Sequence, residues 1–176
     1  MQTNTVSLPV LGYRQAKTYL VAALFIAGNL ILPQLCHLIP QGGLRWLPIY
    51  FFTLIGAYKY GWKAGLLIAL ASPMVNNLLF GMPATSALPA ILLKSVLLAC
   101  TAGFAAWRFK HTSLWLIAAV VLFYQVVGTL GEWALKGDLF LALQDFRIGF
   151  PGMLLQIFGG WFCISVLSKS RNKANL

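Results

Sequence analysis

Charged side chains inside stretches that are otherwise apolar are the first guide to the chemistry of this chain. Lys94 lies about eight residues into one apolar run, and Glu132 lies near the end of the next. A charge in hydrocarbon is costly unless an opposite charge, water or a ligand contacts it. We therefore expect Lys94 to pair with Glu132, with Asp145 or with an anionic group of a bound molecule.

Groups that could catalyse a reaction or hold a metal ion are scarce. The chain has 3 acidic residues and 2 histidines, with His37 near one predicted face and His111 near the other. Its 3 cysteines show no C-x-x-C spacing, and no G-x-x-x-x-G-K-[ST] phosphate loop occurs. Because acid–base and metal chemistry need clustered groups, we predict no enzyme, no metal and no cofactor. A small intramembrane enzyme stays a less favoured alternative.

Composition indicates the environment in which these residues lie. Of 176 residues, 60% are hydrophobic and 9% are charged, and the mean hydropathy is +0.80. Soluble domains have about a quarter of their residues charged. A net charge of +10 would suggest nucleic acid in a soluble chain. Here the cations form small groups between apolar runs, as in the loops of multi-pass membrane proteins, so lipid and not nucleic acid is the predicted partner.

Six apolar runs are candidates for crossing a bilayer, which takes about 20 helical residues. They cover roughly residues 17–39, 45–60, 62–80, 86–107, 113–135 and 147–168. We predict an all-α, polytopic six-transmembrane-helix bundle in one domain, 1–176. The second run has only about 16 residues, so an alternative makes 45–80 one broken re-entrant unit. Lys59 and Lys63 around Gly61 favour a polar turn between two spans.

The cations predict that both termini lie in the cytoplasm. With that orientation nine cations are cytoplasmic and three are outside, in agreement with the positive-inside rule. In this orientation the buried polar residues lie in the outer half of the bundle, and the inner half has few or none. This distribution predicts a pocket that opens to the outside. The nine cytoplasmic cations are Arg14, Lys17, Lys59, Lys63, Arg108, Lys110, Lys169, Arg171 and Lys173.

Two outer connections have predicted structure of their own. Apolar residues recur at i, i+4 and i+7 from Leu139 to Phe146, which predicts a short interfacial helix over 138–147 with Asp145 exposed to water. A surface loop is the alternative. Residues 80–86 are uncharged and partly apolar, which predicts a lid over the pocket rather than a mere connector.

Short motifs along the first four predicted spans occur in an order that is typical of one family. Ala23 and Ala27 are four residues apart on the first span, as close helix packing requires. The other motifs are Leu47-Pro48, Tyr60-Gly61-Trp62-Lys63-Ala64-Gly65, Ser72-Pro73 through Asn76, and Phe80-Gly81-Met82-Pro83. Over its whole length the chain resembles the substrate-binding S components of energy-coupling-factor (ECF) vitamin transporters.

The resemblance implies a high-affinity binding subunit for a vitamin or other micronutrient or cofactor precursor in the bacterial cytoplasmic (inner) membrane. It implies a transmembrane coupling subunit and two ABC-type ATPases as partners, with Ala23 and Ala27 docking on the coupling subunit. No fingerprint of riboflavin, thiamine or biotin binders occurs, so the substrate is open. Depth and loop placement select as substrate-binding candidates His37, Gln41, Arg45, Asn76, Asn77, Met82, Lys94, Gln125, Glu132 and Gln156.

A self-sufficient secondary transporter is the main alternative function. Such carriers usually show paired repeats and broken helices that meet at the midplane. We find no repeat in this chain, which favours the binding subunit. A purely structural or assembly role is a minor alternative.

Overall fold

The computed structural model describes the backbone of residues 11–174 and the side chains of residues 11–168. Every regular element in this range is a helix, so the all-α prediction is confirmed there. Residues 1–10 and 175–176 of the predicted domain lie outside it, as do the side chains of Lys169, Arg171 and Lys173. The helices are α1 (Ala16–His37), α2 (Gly42–Trp46), α3 (Phe51–Tyr60), α4 (Trp62–Phe80), α5 (Leu88–Phe109), α6 (Leu114–Lys136), α7 (Leu139–Ala142), α8 (Gln144–Arg147) and α9 (Phe150–Ala174).

Five of these helices, α1, α4, α5, α6 and α9, are long and apolar enough to cross a membrane. Each coincides with one of the predicted spans. They carry large apolar side chains on their outward faces, such as Leu24 with 71% and Trp115 with 83% of the side chain exposed. Such faces suit lipid hydrocarbon, because they would be unfavourable in water. Five long helices with apolar outward faces indicate a multi-pass membrane protein.

The predicted second span, 45–60, is not one long helix. The chain leaves α2, adopts a left-handed conformation at Leu47 with φ of 46°, and passes through a 3₁₀ turn, Pro48–Tyr50, into α3. Gly61, with φ of 95°, then ends α3 after 10 residues. At 1.5 Å per residue α3 extends about 15 Å, half the hydrocarbon thickness. The structure therefore confirms five long spans and leaves the count of six unconfirmed.

Helix α3 forms the centre of the bundle and packs against α1, α4, α5 and α9. All residues from Thr53 to Lys59 are buried, because small residues let the neighbouring backbones approach. A side chain at Gly65 of α4, for example, would collide with Ala57.

The Lys59 side chain is buried too, and it donates a hydrogen bond of 3.2 Å to Ser168 Oγ. The polar turn predicted around Gly61 therefore has a buried lysine at its start, and the expectation of a dry half at this end is wrong. The reason is that α3 is covered on several sides, so its last turn has no outward face.

Asn29 of α1 connects three helices from a fully buried position. Its Nδ2 donates to Thr53 Oγ1 of α3 at 3.0 Å and to Ser72 Oγ of α4 at 3.1 Å. The backbone N–H of Phe52 donates to Asn29 Oδ1 at 3.3 Å, and Asn76 Nδ2 donates to the backbone carbonyl of Asn29 at 2.8 Å. These bonds satisfy a polar side chain at a depth where water is scarce, and they fix α1 against α3 and α4.

The predicted helix over 138–147 is two short helices, α7 and α8, with Leu143 between them. Asp138 caps α7 by accepting a hydrogen bond of 3.2 Å from the Leu141 N–H. The buried contact comes from Ala142, whereas Leu139 and Leu143 are partly exposed. Asp145 is not exposed as expected, because its side chain turns into the bundle and pairs with Lys94, and only 16% of it remains exposed.

Helices α1 and α4 run in the same direction, since the Leu11 N–H donates to the Tyr60 carbonyl near the start of both and His37 and Asn76 line one cavity near their ends. The connections between the helices fall at two ends. The α2 segment, the α4–α5 loop (residues 81–87) and α7 and α8 lie at one end, which we name the α8 end. The turn at Gly61 lies at the other, which we name the Gly61 end.

Candidate functional site

Four charged side chains form a closed group near the α8 end. The Lys94 ammonium of α5 lies 2.5 Å from Glu132 Oε2 of α6 and 2.5 Å from Asp145 Oδ2 of α8. The Lys136 ammonium lies 2.6 Å from Glu132 Oε1. These residues, named the ion-pair group, hold two cations and two anions and are neutral together. The counter-charge expected for Lys94 is therefore supplied by the protein itself.

The position of Lys94 depends on a glycine of the facing helix. A Cβ at Gly128 of α6 would lie 2.6 Å from the Lys94 Cγ and 3.4 Å from its Cε. The alkyl part of the lysine thus lies flat against the α6 backbone, and only 1% of the side chain is exposed. Through Asp145, this buried lysine also attaches the α7–α8 segment to the bundle.

Buried amide and phenol groups lie on α6, on α9 and in the 3₁₀ turn. Tyr124 Oη of α6 donates a hydrogen bond of 2.8 Å to Gln156 Oε1 of α9. Gln125 follows Tyr124 in the chain, and the ring of Tyr50 lies 5.5 Å from the Tyr124 ring. All four side chains are at most 1% exposed. We name Tyr50, Tyr124, Gln125 and Gln156 the amide layer.

Several polar atoms around the amide layer have no hydrogen-bond partner among the described protein atoms. Burying such an atom without a partner costs about 1–3 kcal/mol. Native proteins keep few of them, and water or a bound molecule usually satisfies those. A region with several on three helices is suited to binding a polar molecule. The atoms are Ser95 Oγ, Gln125 Oε1 and Nε2, Thr129 Oγ1 and Gln156 Nε2.

A cavity of about 400 Å³ lies at the α8 end beneath the α4–α5 loop. Three predicted residues line it, namely His37, Asn76 and Met82. Asn77 instead fixes the loop, because its Nδ2 donates a hydrogen bond of 2.7 Å to the Pro83 carbonyl. The 3₁₀ turn separates this cavity from the amide layer, since Ile49 lines the cavity while Tyr50 belongs to the layer.

Apart from Asn77, which holds the α4–α5 loop, the predicted site residues divide into three sets. Lys94 and Glu132 pair in the ion-pair group, Gln156 bonds to Tyr124, and Gln125 is buried beside Tyr124 in the chain; His37, Asn76 and Met82 line the cavity. Gln41 and Arg45 have exposed side chains and belong to neither place. Gln41 instead precedes α2 in a left-handed conformation.

Sequence reasoning missed several members of the polar region, and the signals differ. Thr129 lies one helical turn after Gln125, so the polar stripe on α6 could have included it. Tyr50 and Tyr124 gave no signal, because tyrosines in apolar runs usually fill the core or lie at the membrane interface. Among the described residues no group of three His, Cys, Asp or Glu side chains could hold a metal ion.

The small residues of α1 face outward. Ala23 and Ala27 are exposed, as are the neighbouring Leu20 and Leu24, whereas Ala22 on the other side is buried. The Ala23 and Ala27 stripe is therefore not used for packing within the described part of the chain. It is available to lipid or to another protein.

Comparison with known proteins gives one match. A family model described as the substrate-specific component of the ECF transporter matches residues 17–167. This range includes all five long spans up to Leu167, the ion-pair group and the amide layer. Neither the curated proteins nor the solved structures gave a match.

Proposed function

Because the chain belongs to the family of substrate-specific components of ECF transporters, we propose that it takes up a vitamin or other micronutrient or cofactor precursor with an ECF module. As a family member it is a substrate-binding subunit of a membrane transporter. Family membership does not give the substrate class or the coupling to partners, and we propose both.

The substrate binds in the amide layer, next to the ion-pair group. One observation supports this location above the others, namely the unpaired polar atoms of Gln125, Thr129 and Gln156 at fully or nearly fully buried positions. A bound molecule with matching donors and acceptors would satisfy them and recover the cost of their desolvation. Affinity then comes from a site that is already desolvated before the substrate arrives.

The α7–α8 segment closes the site. The buried Ala142 and the Asp145 carboxylate attach it to the bundle, and Asp145 pairs with Lys94 at 2.5 Å. Separation of this pair opens a path from the α8 end to the amide layer, and its return encloses the substrate. In the proposed orientation of six spans and cytoplasmic termini, the α8 end faces the outside of a bacterial cytoplasmic membrane.

Energy for release comes from partners. The chain has no phosphate-binding loop of the P-loop type, so two ABC-type ATPases and a transmembrane coupling subunit would drive transport. The exposed Ala23 and Ala27 stripe on α1 is the docking surface for that coupling subunit, because small residues let two helices approach closely in lipid.

The binding role is tested with protein purified from its own membranes. Small molecules are extracted from the wild-type protein and identified by mass spectrometry, with Gln156→Leu as the site variant and Val126→Leu on the lipid-facing side of α6 as the control. We expect one molecule in stoichiometric amount in the wild type and the control, and at most a tenth of it in Gln156→Leu. Equal retention by all three proteins would place the substrate elsewhere.

Docking is tested separately with the double variant Ala23→Leu and Ala27→Leu. We expect this protein to retain the extracted molecule but to lose co-purification with the coupling subunit and the ATPases. Loss of both properties would make the stripe part of internal packing. Ion-gradient-driven uptake by the chain alone in liposomes would instead indicate a secondary transporter.

A further inference from the structure

A groove between α4 and α5 at the Gly61 end combines an apolar lining with one cation. We propose that this groove binds one anionic phospholipid, with the headgroup phosphate at Lys63 and an acyl chain along α5 toward Cys100. The groove lies at the opposite end of the bundle from the ion-pair group and is separate from the proposed substrate site.

The groove is a cavity of about 590 Å³, within the usual range of about 300–1,000 Å³ for small-molecule sites. Gly103 of α5 lies directly on the start of α4, because a Cβ at Gly103 would be 2.6 Å from the Trp62 Cβ. Small residues therefore line the groove where the two helices touch, and exposed aromatic rings line it at the surface. The lining residues, named the Lys63 groove, are Gly61, Trp62, Lys63, Cys100, Gly103, Phe104 and Trp107.

The depth of the groove matches the length of a lipid better than that of a free anion. Exposed tryptophans are typical of the headgroup level of a membrane, and Trp62, Trp107 and Trp115 are all exposed near the Gly61 end. Cys100 precedes Trp107 by seven residues on α5, which places it about 10 Å deeper at 1.5 Å per residue. The Lys63 groove thus continues from the headgroup level into the hydrocarbon, as a phospholipid does and a free phosphate ion does not.

Lys63 is the one cation among the described residues that line the groove. Its ammonium lies 5.5 Å from the ring centroid of Tyr13 and 5.7 Å from that of Trp62, so two aromatic rings hold its position. No carboxylate in the described part of the chain pairs with it. Its three N–H donors are therefore free to bind the oxygens of a phosphate group.

Acidic side chains are confined to the other end of the bundle. The 3 acids of the chain, Glu132, Asp138 and Asp145, all lie near the α8 end. The start of α1 and the end of α5 lie at the Gly61 end, since Leu11 and His111 are bonded to the last turn of α3. Basic pockets between membrane helices bind anionic lipid headgroups, and the charge around the Lys63 groove favours such a headgroup. The accessible cations described at this end are Arg14, Lys17, Lys63, Arg108 and Lys110.

Native mass spectrometry of the intact protein in detergent tests the site with matched probes. The probes are phosphatidylglycerol and phosphatidylcholine with identical acyl chains, and glycerol 3-phosphate as a phosphate without chains. We expect one bound phosphatidylglycerol, retained at least about fivefold better than phosphatidylcholine, which is the effect of one lysine at an anionic headgroup. Glycerol 3-phosphate should not be retained. Equal retention of the two lipids, retention of neither, or retention of glycerol 3-phosphate as well as the lipid overturns the proposal.

Three variants locate the bound lipid. Lys63→Met removes the charge, so we expect retention of phosphatidylglycerol to fall to that of phosphatidylcholine. Lys17→Met is the matched control, because it removes a cation from the same end that does not line the groove, and the preference should be unchanged. Cys100→Phe places a large ring in the deep part of the groove, and we expect it to lower retention of phosphatidylglycerol without changing the Tm, since Cys100 is exposed. An undiminished preference in Lys63→Met, or an equal loss in Lys17→Met, would overturn the assignment of Lys63.

Lipid binding and substrate binding can be lost separately. Lys63→Met purified from its own membranes should still carry the small molecule extracted from the wild type, because the ion-pair group and the amide layer are distant from the groove. Loss of the small molecule together with the lipid in this variant would show a disturbed fold and overturn Lys63 as a lipid contact.

Discussion

Replacement of Lys94 by Met is the most informative single perturbation of this structure. Met is close to Lys in length and can keep the apolar contact with Gly128, so the change isolates the charge. In the variant, Glu132 keeps Lys136 at 2.6 Å, but Asp145 loses its one described ion-pair partner. The Asp145 side chain is only 16% exposed, so its charge is left largely buried.

The expected magnitude follows from that arrangement. Removing one member of a buried ion pair costs about 3–5 kcal/mol, because the remaining charge is uncompensated. Since Glu132 retains a partner and Asp145 has some contact with solvent, we expect the lower end, about 3 kcal/mol of unfolding free energy. The measurement is reversible unfolding in mixed micelles of increasing SDS content, followed by circular dichroism.

Two further variants make this result interpretable. In Lys94→Met with Asp145→Asn the stranded charge is gone, and we expect stability within about 1 kcal/mol of the wild type, as for buried pairs replaced together. Lys136→Met is the matched control. Its side chain is 29% exposed and Glu132 keeps Lys94, so we expect a loss of at most about 1 kcal/mol. A double variant no more stable than Lys94→Met alone would refute the charge-pairing argument.

Three other predictions concern the contacts that hold the site. Asn29→Leu removes the acceptor of the Phe52 N–H and the donor to the Ser72 and Thr53 hydroxyls, of which Thr53 keeps its bond to the Ile49 carbonyl, so we expect a loss of about 2–4 kcal/mol in the SDS assay; a loss below about 1 kcal/mol would contradict the assigned network. Gly128→Ala places a methyl group 2.6 Å from the Lys94 Cγ and should cost about 1–3 kcal/mol, whereas Gly12→Ala, with nothing within 4 Å, should be tolerated. Asn77→Leu removes the bond to the Pro83 carbonyl and should speed hydrogen exchange in the α4–α5 loop without changing that of α6; unchanged exchange in the loop would show that other contacts hold it.

The sequence determined the membrane class and most of the helices of this protein. Hydropathy can be read from each run by itself, without knowledge of the rest of the fold. An apolar run that is long enough to cross the bilayer must be helical, because an unpaired backbone polar group in lipid is costly. Five long spans could therefore be predicted within a few residues. The expected counter-charges for Lys94 were also correct, because a buried ammonium needs a partner and the chain has only three acids.

Only the tertiary structure decided what the segment 45–60 does. Its apolar composition fits a short span and a buried core helix equally well, since both avoid water. Packing by α1, α4, α5 and α9, together with the left-handed turn at Leu47, makes it a short central helix. The same packing buries Lys59, which was predicted only to belong to a polar turn around Gly61.

For the candidate site, the sequence determines which polar residues are buried, and the fold determines which of them are in contact. Depth along a helix predicted that Gln125, Glu132 and Gln156 are buried, because depth depends only on distance from the end of a run. Which of them meet depends on how the helices are rotated about their axes and on where the α7–α8 segment lies. Packing sets those rotations through contacts between residues distant in the chain, such as Gly128 with Lys94, so Asp145 turned inward while Gln41 and Arg45 stayed at the surface.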